Sequence, residues 1–595
     1  MAVFKQRKEL RLSGLATEII DWWKKDNTFD KSVSQRQGAK AFVFYEGPPS
    51  SNGLPGIHHV MARTIKDVFC RYKTLKGFQV NRKAGWDTHG LPVELGVEKE
   101  MGITKEDIGK SITVEEYNEA CKKAVMRYTD VWNDLTHKMG YWVDTQDPYI
   151  TYENKYIESV WWLLNQAFEK KLIYKGYTIQ PYSPMAGTGL SSHELNQPGC
   201  YKNVKDTSIT AQFLIKKDSN SFFGSDENVF LLAWTTTPWT LPSNTALAVN
   251  KNVVYIAVDT FNLYTKKKVV VVLAKELLKK VFSNPYIELS GLVNDKKQVT
   301  YKVIKEFLGS ELIGLKYEQL LPIASPAENS ENAFQVIHGD FVSTEDGTGI
   351  VHIAPTFGAD DAKVAKDSNV PPMLVKDEYG ELVPLINLKG AFIEGLGDLS
   401  GKFVKNSFYS NEDSNRKSVD VEIAIKLKEE NKAFRVEKYE HSYPHCWRTD
   451  KPVLYYPLDS WFIKVSSFKE DMVELNKSIN WKPASTGVGR FGNWLENAND
   501  WNLSRSRFWG IPIPIWRSED KKETICIGSV SELKKEIAFS IKAGNMTVNP
   551  LENFVEGDFS EDNYTFFDLH KSHVDKIVLS SKEGKPLYRE SGLID

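Results

Sequence analysis

The stretch between residues 47 and 94 constrains this chain more than any other. It opens Gly47-Pro48-Pro49-Ser50-Ser51-Asn52-Gly53-Leu54-Pro55-Gly56-Ile57-His58-His59 and closes Gly85-Trp86-Asp87-Thr88-His89-Gly90-Leu91-Pro92-Val93-Glu94. The first half is a glycine- and proline-rich loop that ends in two histidines and runs into a helix, expected over His59 to Lys76 and ended by Gly77. Such a unit suits a polyphosphate. Glycines let the backbone approach, and the first helical turn offers unpaired N–H groups and the positive end of its dipole. Upstream, Phe42-Val43-Phe44-Tyr45 reads as a strand, so strand, loop and helix make the first unit of a doubly wound α/β fold. Val60, Ile65, Val68, Phe69 and Tyr72 recur at roughly helical spacing and predict one buried stripe. The second half presents one carboxylate, Asp87, between an aromatic residue and a glycine-bearing turn. A nucleotide cradle beside a lone carboxylate points to chemistry joining ATP to a molecule that carries an amine.

A chain of 595 residues is too long for one core. Its 41% apolar and 26% charged residues describe an ordinary globular protein. The net charge of −2 exerts no global pull on RNA, so any RNA contact must come from local basic surface. The five scattered cysteines suit reduced thiols in the cytoplasm. The start, MAVFKQRKELRLSG, lacks an apolar signal core, and no run approaches membrane-spanning length. A soluble cytoplasmic protein with no membrane partner is expected. The β-branched burst from Val269 to Leu273 reads as a buried strand.

Helices are expected from Val114 to Met139 and from Glu158 to Lys170. Composition changes after about residue 184. Short β-rich runs follow at Thr207 to Ile215, Val229 to Thr236, Val253 to Val258 and Lys268 to Leu273. Helix and strand signals alternate again from about Glu440. The predicted organisation is an α/β core in two pieces, residues 1–183 and 441–595, split by a β-rich insertion over 184–440. Asn406 to Lys417 and the Lys521-Lys522 pair read as polar surface loops.

Further landmarks are Thr235-Thr236-Thr237-Pro238-Trp239-Thr240-Leu241-Pro242-Ser243-Asn244, Gly347-Thr348-Gly349-Ile350-Val351-His352-Ile353-Ala354-Pro355, Ser460-Trp461-Phe462 and Trp501 to Gly510. With the loop–helix unit they run over nearly the whole chain in an order that resembles the class I aminoacyl-tRNA synthetases, on their isoleucine-specific branch. The resemblance implies a Rossmann-type parallel-sheet core split by an inserted β-rich editing domain. It implies ATP with Mg²⁺ as substrate, isoleucine and tRNA(Ile) as partners, and a monomer. In that family an HxGH motif binds ATP; here the four positions read Gly56-Ile57-His58-His59, with glycine and the first histidine exchanged. The expectation is that His58 turns toward the phosphates in place of the missing histidine and that Gly56 relieves the loop. By the same resemblance Asp87 pairs with the amino acid's ammonium, a charge-assisted contact. Gly47, Pro48, Trp461 and Trp509 would wall its side-chain pocket; without the resemblance both tryptophans read as core packing. A KMSKS-type lysine loop is absent from these residues, so a truncated chain lacking the anticodon-binding helices is expected.

Isoleucine and valine differ by one methylene, which an apolar pocket separates by only about 1–3 kcal/mol; isoleucine-specific synthetases are the standard example of this limit. A second, hydrolytic site is the remedy, and the insertion resembles that family's editing module. Thr235, Thr236, Thr237, Thr240 and Asn244 would supply polar groups near the terminal adenosine and a water. His352 would narrow the pocket against isoleucine, and Asp361, beside Asp360, would hold the substrate ammonium. By residue type alone, Asp360-Asp361 reads as a solvated helix start and the threonines as strand composition. Some family members hold zinc through paired CxxC motifs. Here Cys446 is followed at the second position by Thr449, and Pro181 to Pro184 carries no thiol, so no structural zinc is expected. His441 and His445 read as packing or hydrogen-bonding residues, and a zinc role for His570 and His573 is disfavoured. A valine- or leucine-specific sister enzyme, an editing-only deacylase and a small-molecule nucleotidyltransferase are the rival readings.

Overall fold

The computed structural model describes residues 9–217, 223, 228–283, 285–289, 298–409 and 416–594. Residues 1–8 of the amino-terminal segment and 410–415 of the expected surface loop lie outside that set. The chain divides into two compact units, Met1–Tyr174 with Trp461–Asp595, and Lys175–Ser460. The cuts differ from the expected 184 and 440 because they fall in long strands, Ile173–Ser183 and Leu454–Ile463. A change of composition does not register a boundary placed inside continuous extended backbone.

In the first unit, the loop after residue 47 leads into the helix Ile57–Leu75, as expected. Its buried face is not. Ile65, Val68, Phe69 and Tyr72 are exposed, and the inward residues are Arg63, Cys70 and Thr74. The polar face turns inward because each group has a partner there. Arg63 donates to Thr136 at 2.7 Å and lies over the Trp132 ring, while Arg82 donates to the Thr74 hydroxyl at 2.7 Å. The Phe42–Tyr45 strand shrinks to one parallel bridge, Ala41 to Gln79, with Val43 and Tyr45 exposed beyond it. Parallel pairing continues between Lys83–Trp86 and Asp144–Ile150. The helix expected from Val114 to Met139 is broken into Val114–Val125 and Thr129–Lys138. The break accepts the loop: Ser51 Oγ donates to the Val125 carbonyl, and the Tyr128 N–H donates to the Ser51 carbonyl at 3.2 Å. A second apolar cluster joins the helices Asn154–Glu169 and Val530–Ala543 around Trp161 and Trp516, whose indoles donate to the Pro512 and Ile577 carbonyls.

The second unit is built on a seven-stranded sheet. Its order is Tyr286–Glu288, Val299–Leu308, Val254–Phe261, Lys268–Ala274, Val229–Thr235, Tyr201–Leu214 and Ala433–Pro444. Most pairings are antiparallel; the first pair, and Val229–Thr235 with Lys268–Ala274, are parallel. The burst at Val269 to Leu273 is buried along its length, as a strand covered on both faces must be. A smaller sheet sets Ala246–Val249 between Gln335–His338 and Val351–Ile353. Gly349, at φ +74°, brings the chain into that last strand so closely that a Cβ there would sit 2.4 Å from Ala274 Cβ. The positive φ and the clash with the Ala274 methyl both favour glycine. Gly349→Ala should lower stability by about 1–3 kcal/mol. Calorimetric melting should show the loss, and Ala274→Gly should restore only the part due to the clash.

Candidate functional site

The second unit holds a cavity of about 360 Å³ lined by Thr235, Thr236, Thr237, Thr240, His352 and Asp361, together with Trp234, Phe357 and the Gly347–Val351 segment. Local structure explains the gathering. The strand Val229–Thr235 ends at Thr235, and Pro238 starts the tight turn Pro238–Ser243, so the hydroxyl-bearing residues fold over one another. Thr235 Oγ1 accepts from the Thr237 N–H at 3.0 Å, and Thr240 Oγ1 donates to the Thr237 carbonyl at 2.8 Å. Beneath the turn, the buried Asp420 accepts the Trp239 N–H at 2.9 Å and is steadied by Lys405.

Asp361 and Asp360 part company here. Both belong to the first turn of the helix Ala359–Asp367, but neighbouring helical side chains point in different directions. Asp360 is exposed and does not line the cavity, so of the two expected acids the structure brings only Asp361 to it. Asp361 turns inward and accepts the Ala354 N–H at 2.8 Å. Burial pushes its carboxyl up to about 6, against the pull of that hydrogen bond. His352, on the strand Val351–Ile353, is lowered to about 4 by burial and is neutral near pH 7. Asn244 stands behind His352, outside the lining, and is joined to it at 3.2 Å. Sequence reasoning missed Asp346, which lines the mouth and is held by Lys280 at 2.5 Å and Tyr439 at 3.0 Å. Its position directly before Gly347 was the available signal.

In the first unit, Gly56 caps the helix Ile57–Leu75, and its N–H donates to His59 Nδ1 at 2.9 Å. His58 lies against His59, ring centroids 3.8 Å apart, and folds back over Gly56: a Cβ at 56 would be 2.8 Å from the His58 ring. The His58 ring thus takes up the space that a side chain at position 56 would need. His59 is lowered from its ordinary pKa by burial, with His58 and Arg63 adding to the effect. The Trp132 indole fixes the loop by donating to the Gly53 carbonyl at 2.8 Å. Asp87 follows the strand Lys83–Trp86; its N–H donates to the Pro49 carbonyl at 3.0 Å, tying the end of that strand to the Gly47-Pro48 loop. Asp87 also lies near enough to Tyr149 and Tyr156 to help raise their phenols, after burial.

The two expected pocket tryptophans are not equivalent. Trp509 donates its indole to the Thr88 carbonyl at 2.7 Å, one residue from Asp87, and stacks on His570. Trp461 belongs to a different apolar cluster, with Leu164 and Leu503, and donates to Glu590 at 3.3 Å. His570 is held by Asp568 at 2.5 Å and faces His89 at 3.0 Å. Burial, then His570, pushes His89 well below its ordinary value. Sequence reasoning also missed Glu94. Fully buried, it accepts the Phe508 and Trp509 N–H groups and pairs with Arg507 at 2.5 Å, while Arg507 also reaches Glu98. Removing one partner of such a cluster leaves uncompensated buried charge, so Arg507→Met should cost about 3–5 kcal/mol. Thermal melting followed by tryptophan emission should report it, with partial recovery when Glu94→Gln is added.

Among the described residues, no three His, Cys, Asp or Glu side chains group as metal ligands. All five thiols are free and buried. His441 bonds Asp206 and His445 bonds the Tyr443 carbonyl. Cys446 lies near Cys200, outside Pro181–Pro184; the His445 N–H donates to the Cys200 carbonyl at 2.7 Å.

The family model described as tRNA synthetases class I (I, L, M and V) matches residues 18–565. The isoleucine--tRNA ligase of Cytophaga hutchinsonii is 59% identical, over 99% of this chain and 52% of that protein. That of Bacteroides fragilis is 56% identical, over 100% of this chain and 53% of that protein. That of Clostridium tetani is 43% identical, over 97% and 48%. The chain spans about half the length of the curated relatives it matches. The chain belongs to the class I tRNA synthetases of the I, L, M and V group.

Proposed function

We propose that this chain carries the amino-acid-activating and proofreading parts of an isoleucine–tRNA ligase. The observation that carries the reading is the cavity in which threonine hydroxyls, a neutral His352 and the inward carboxylate of Asp361 converge. A polar-lipped cavity with one inward carboxylate, Asp361, and a second at its mouth, Asp346, tied to Lys280, suits an aminoacyl ester, which has an ammonium, a small side chain and a ribose. The relatives' names supply the amino acid. In this reading Asp361 holds the ammonium of a valyl ester on tRNA(Ile), and His352 closes the space a longer side chain would need. The threonines hold the terminal adenosine and the hydrolytic water. Asp360, exposed, has no part.

The first unit would form part of a Rossmann-type core. ATP, as its Mg²⁺ complex, would set its phosphates at the helix start beyond Gly56, against His58 and His59. With Nδ1 accepting from Gly56, neutral His59 carries its proton on Nε2 and can donate it to a phosphate oxygen. Isoleucine would lie with its ammonium at Asp87 and its carboxylate aimed at the α-phosphate. Little covalent work falls to side chains; positioning and charge stabilisation dominate. Gly47 and Pro48 fit the pocket wall through the Asp87–Pro49 tie, and Trp509 through Thr88. Trp461, buried beside Leu164 and Leu503, would supply a further apolar wall of that pocket. Among the described residues no helix is long and apolar enough to cross a membrane.

The chain should hydrolyse valyl-tRNA(Ile). Asp361→Ala should abolish that hydrolysis while isoleucine-dependent pyrophosphate exchange, measured in a protein of the relatives' full length, is nearly unchanged; retained hydrolysis would overturn the assignment. The ionised carboxylate is the form that binds ammonium. The rate should therefore reach its plateau well above pH 6, stand near half its maximum at about pH 6, the value burial gives Asp361, and fall further as pH drops below it. Asp420 is also raised to about 6, by burial first, so Asp420→Asn should leave that limb in place. A rate independent of pH between 5 and 7 would remove Asp361 from the ammonium site.

A further inference from the structure

A buried line of side chains behind the cavity wall determines where one proton sits. Tyr317, with 0% of its surface exposed, donates its phenol to Asn244 Oδ1 at 2.7 Å. The Asn244 amide nitrogen has two protons and three acceptors in reach: the Ala246 carbonyl at 2.8 Å, His352 Nδ1 at 3.2 Å and the Ile353 carbonyl at 3.4 Å. Turning the amide over would set Oδ1 against two carbonyl oxygens, so its orientation is fixed. An amide NH₂ can only donate, and His352 Nδ1 must therefore accept. A neutral imidazole with Nδ1 accepting carries its proton on Nε2. Burial keeps the ring neutral at physiological pH.

His352 Nε2 lies 2.9 Å from Thr240 Oγ1 and is the donor in that contact. The Thr240 proton is already committed to the Thr237 carbonyl at 2.8 Å. Thr240 Oγ1, which lines the cavity, thus has no proton left to offer. We propose that Asn244, oriented by Tyr317, locks His352 as its Nε2–H tautomer, so that Thr240 faces the cavity as an acceptor-only oxygen that orients the attacking water. The inference rests on the hydrolytic reading of the cavity. Asn244 is a positioning residue: it touches no reacting atom and acts through His352. Thr240 orients the water and exchanges no proton with it.

The test uses the whole chain labelled with ¹⁵N-histidine, with the His352 signals identified by their loss in His352→Gln. The proposal requires a protonated Nε2 and an unprotonated Nδ1 in the unsubstituted protein at pH 7. A proton on Nδ1 overturns it before any variant at position 244 is made. Asn244→Asp, close in shape, presents an acceptor to Nδ1 and should draw a proton onto it. The same variant should lower kcat for valyl-tRNA(Ile) hydrolysis by about tenfold or more with KM changed less than about twofold, the signature of an interaction used after binding. A moved proton with unchanged kcat overturns the positioning role. A chain that hydrolyses no aminoacyl-tRNA overturns the editing reading instead, and the spectrum still decides the tautomer.

Discussion

One hydrogen bond, from the Ala354 N–H to the Asp361 carboxylate, decides whether the cavity of the second unit has a carboxylate in its wall. The bond draws a charged side chain toward a wall of strand ends and away from solvent. Gly358 makes the turn possible, because a Cβ there would lie 2.7 Å from Asp361 Cγ. The residue is at once a helix-start acid and a cavity wall, so the structural and functional readings describe the same side chain. Its raised pKa records what the arrangement costs: a carboxylate held in partial burial.

The same device recurs in the other unit. Gly56 precedes the helix Ile57–Leu75 as Gly358 precedes Ala359–Asp367, and in each case the side chain three residues on folds back onto a preceding backbone N–H. At 56–59 the returning group is an imidazole and at 358–361 a carboxylate, which suits a phosphate in the first case and an ammonium in the second. The exchange of glycine and histidine is compatible with this geometry because the space over Gly56 is taken by the His58 ring. The buried Glu94–Arg507 cluster then joins two segments of the first unit far apart in sequence and fixes Trp509 beside Thr88.

The cavity was legible in the sequence because its residues come in two short runs, Thr235 to Asn244 and Gly347 to Asp361, each rich in groups a plain strand does not need. Which of two adjacent acids faces inward was not legible, since helix phase depends on where the turn starts. The helix after His59 could be located, but its inward face could not. Apolar spacing pointed to Ile65, Val68 and Phe69, while the structure buries Arg63 and Thr74 through partners supplied by Thr136 and Arg82. The break between Val125 and Thr129 depends on Ser51, more than seventy positions earlier, and carries no local breaker. Trp461 and Trp509 could be named from the motifs that carry them, but the separate apolar clusters that take them up depend on packing between distant segments.

A crystal structure of this chain with a non-hydrolysable valyl-aminoadenosine, an amide in place of the ester, tests the account most directly. The ligand should lie in the threonine-lined cavity with its ammonium about 2.7–2.9 Å from an Asp361 oxygen, the range of charge-assisted hydrogen bonds, and its isopropyl group against His352. A ligand seated elsewhere, or one whose ammonium is held by another acid while Asp361 remains bonded only to Ala354, would contradict it.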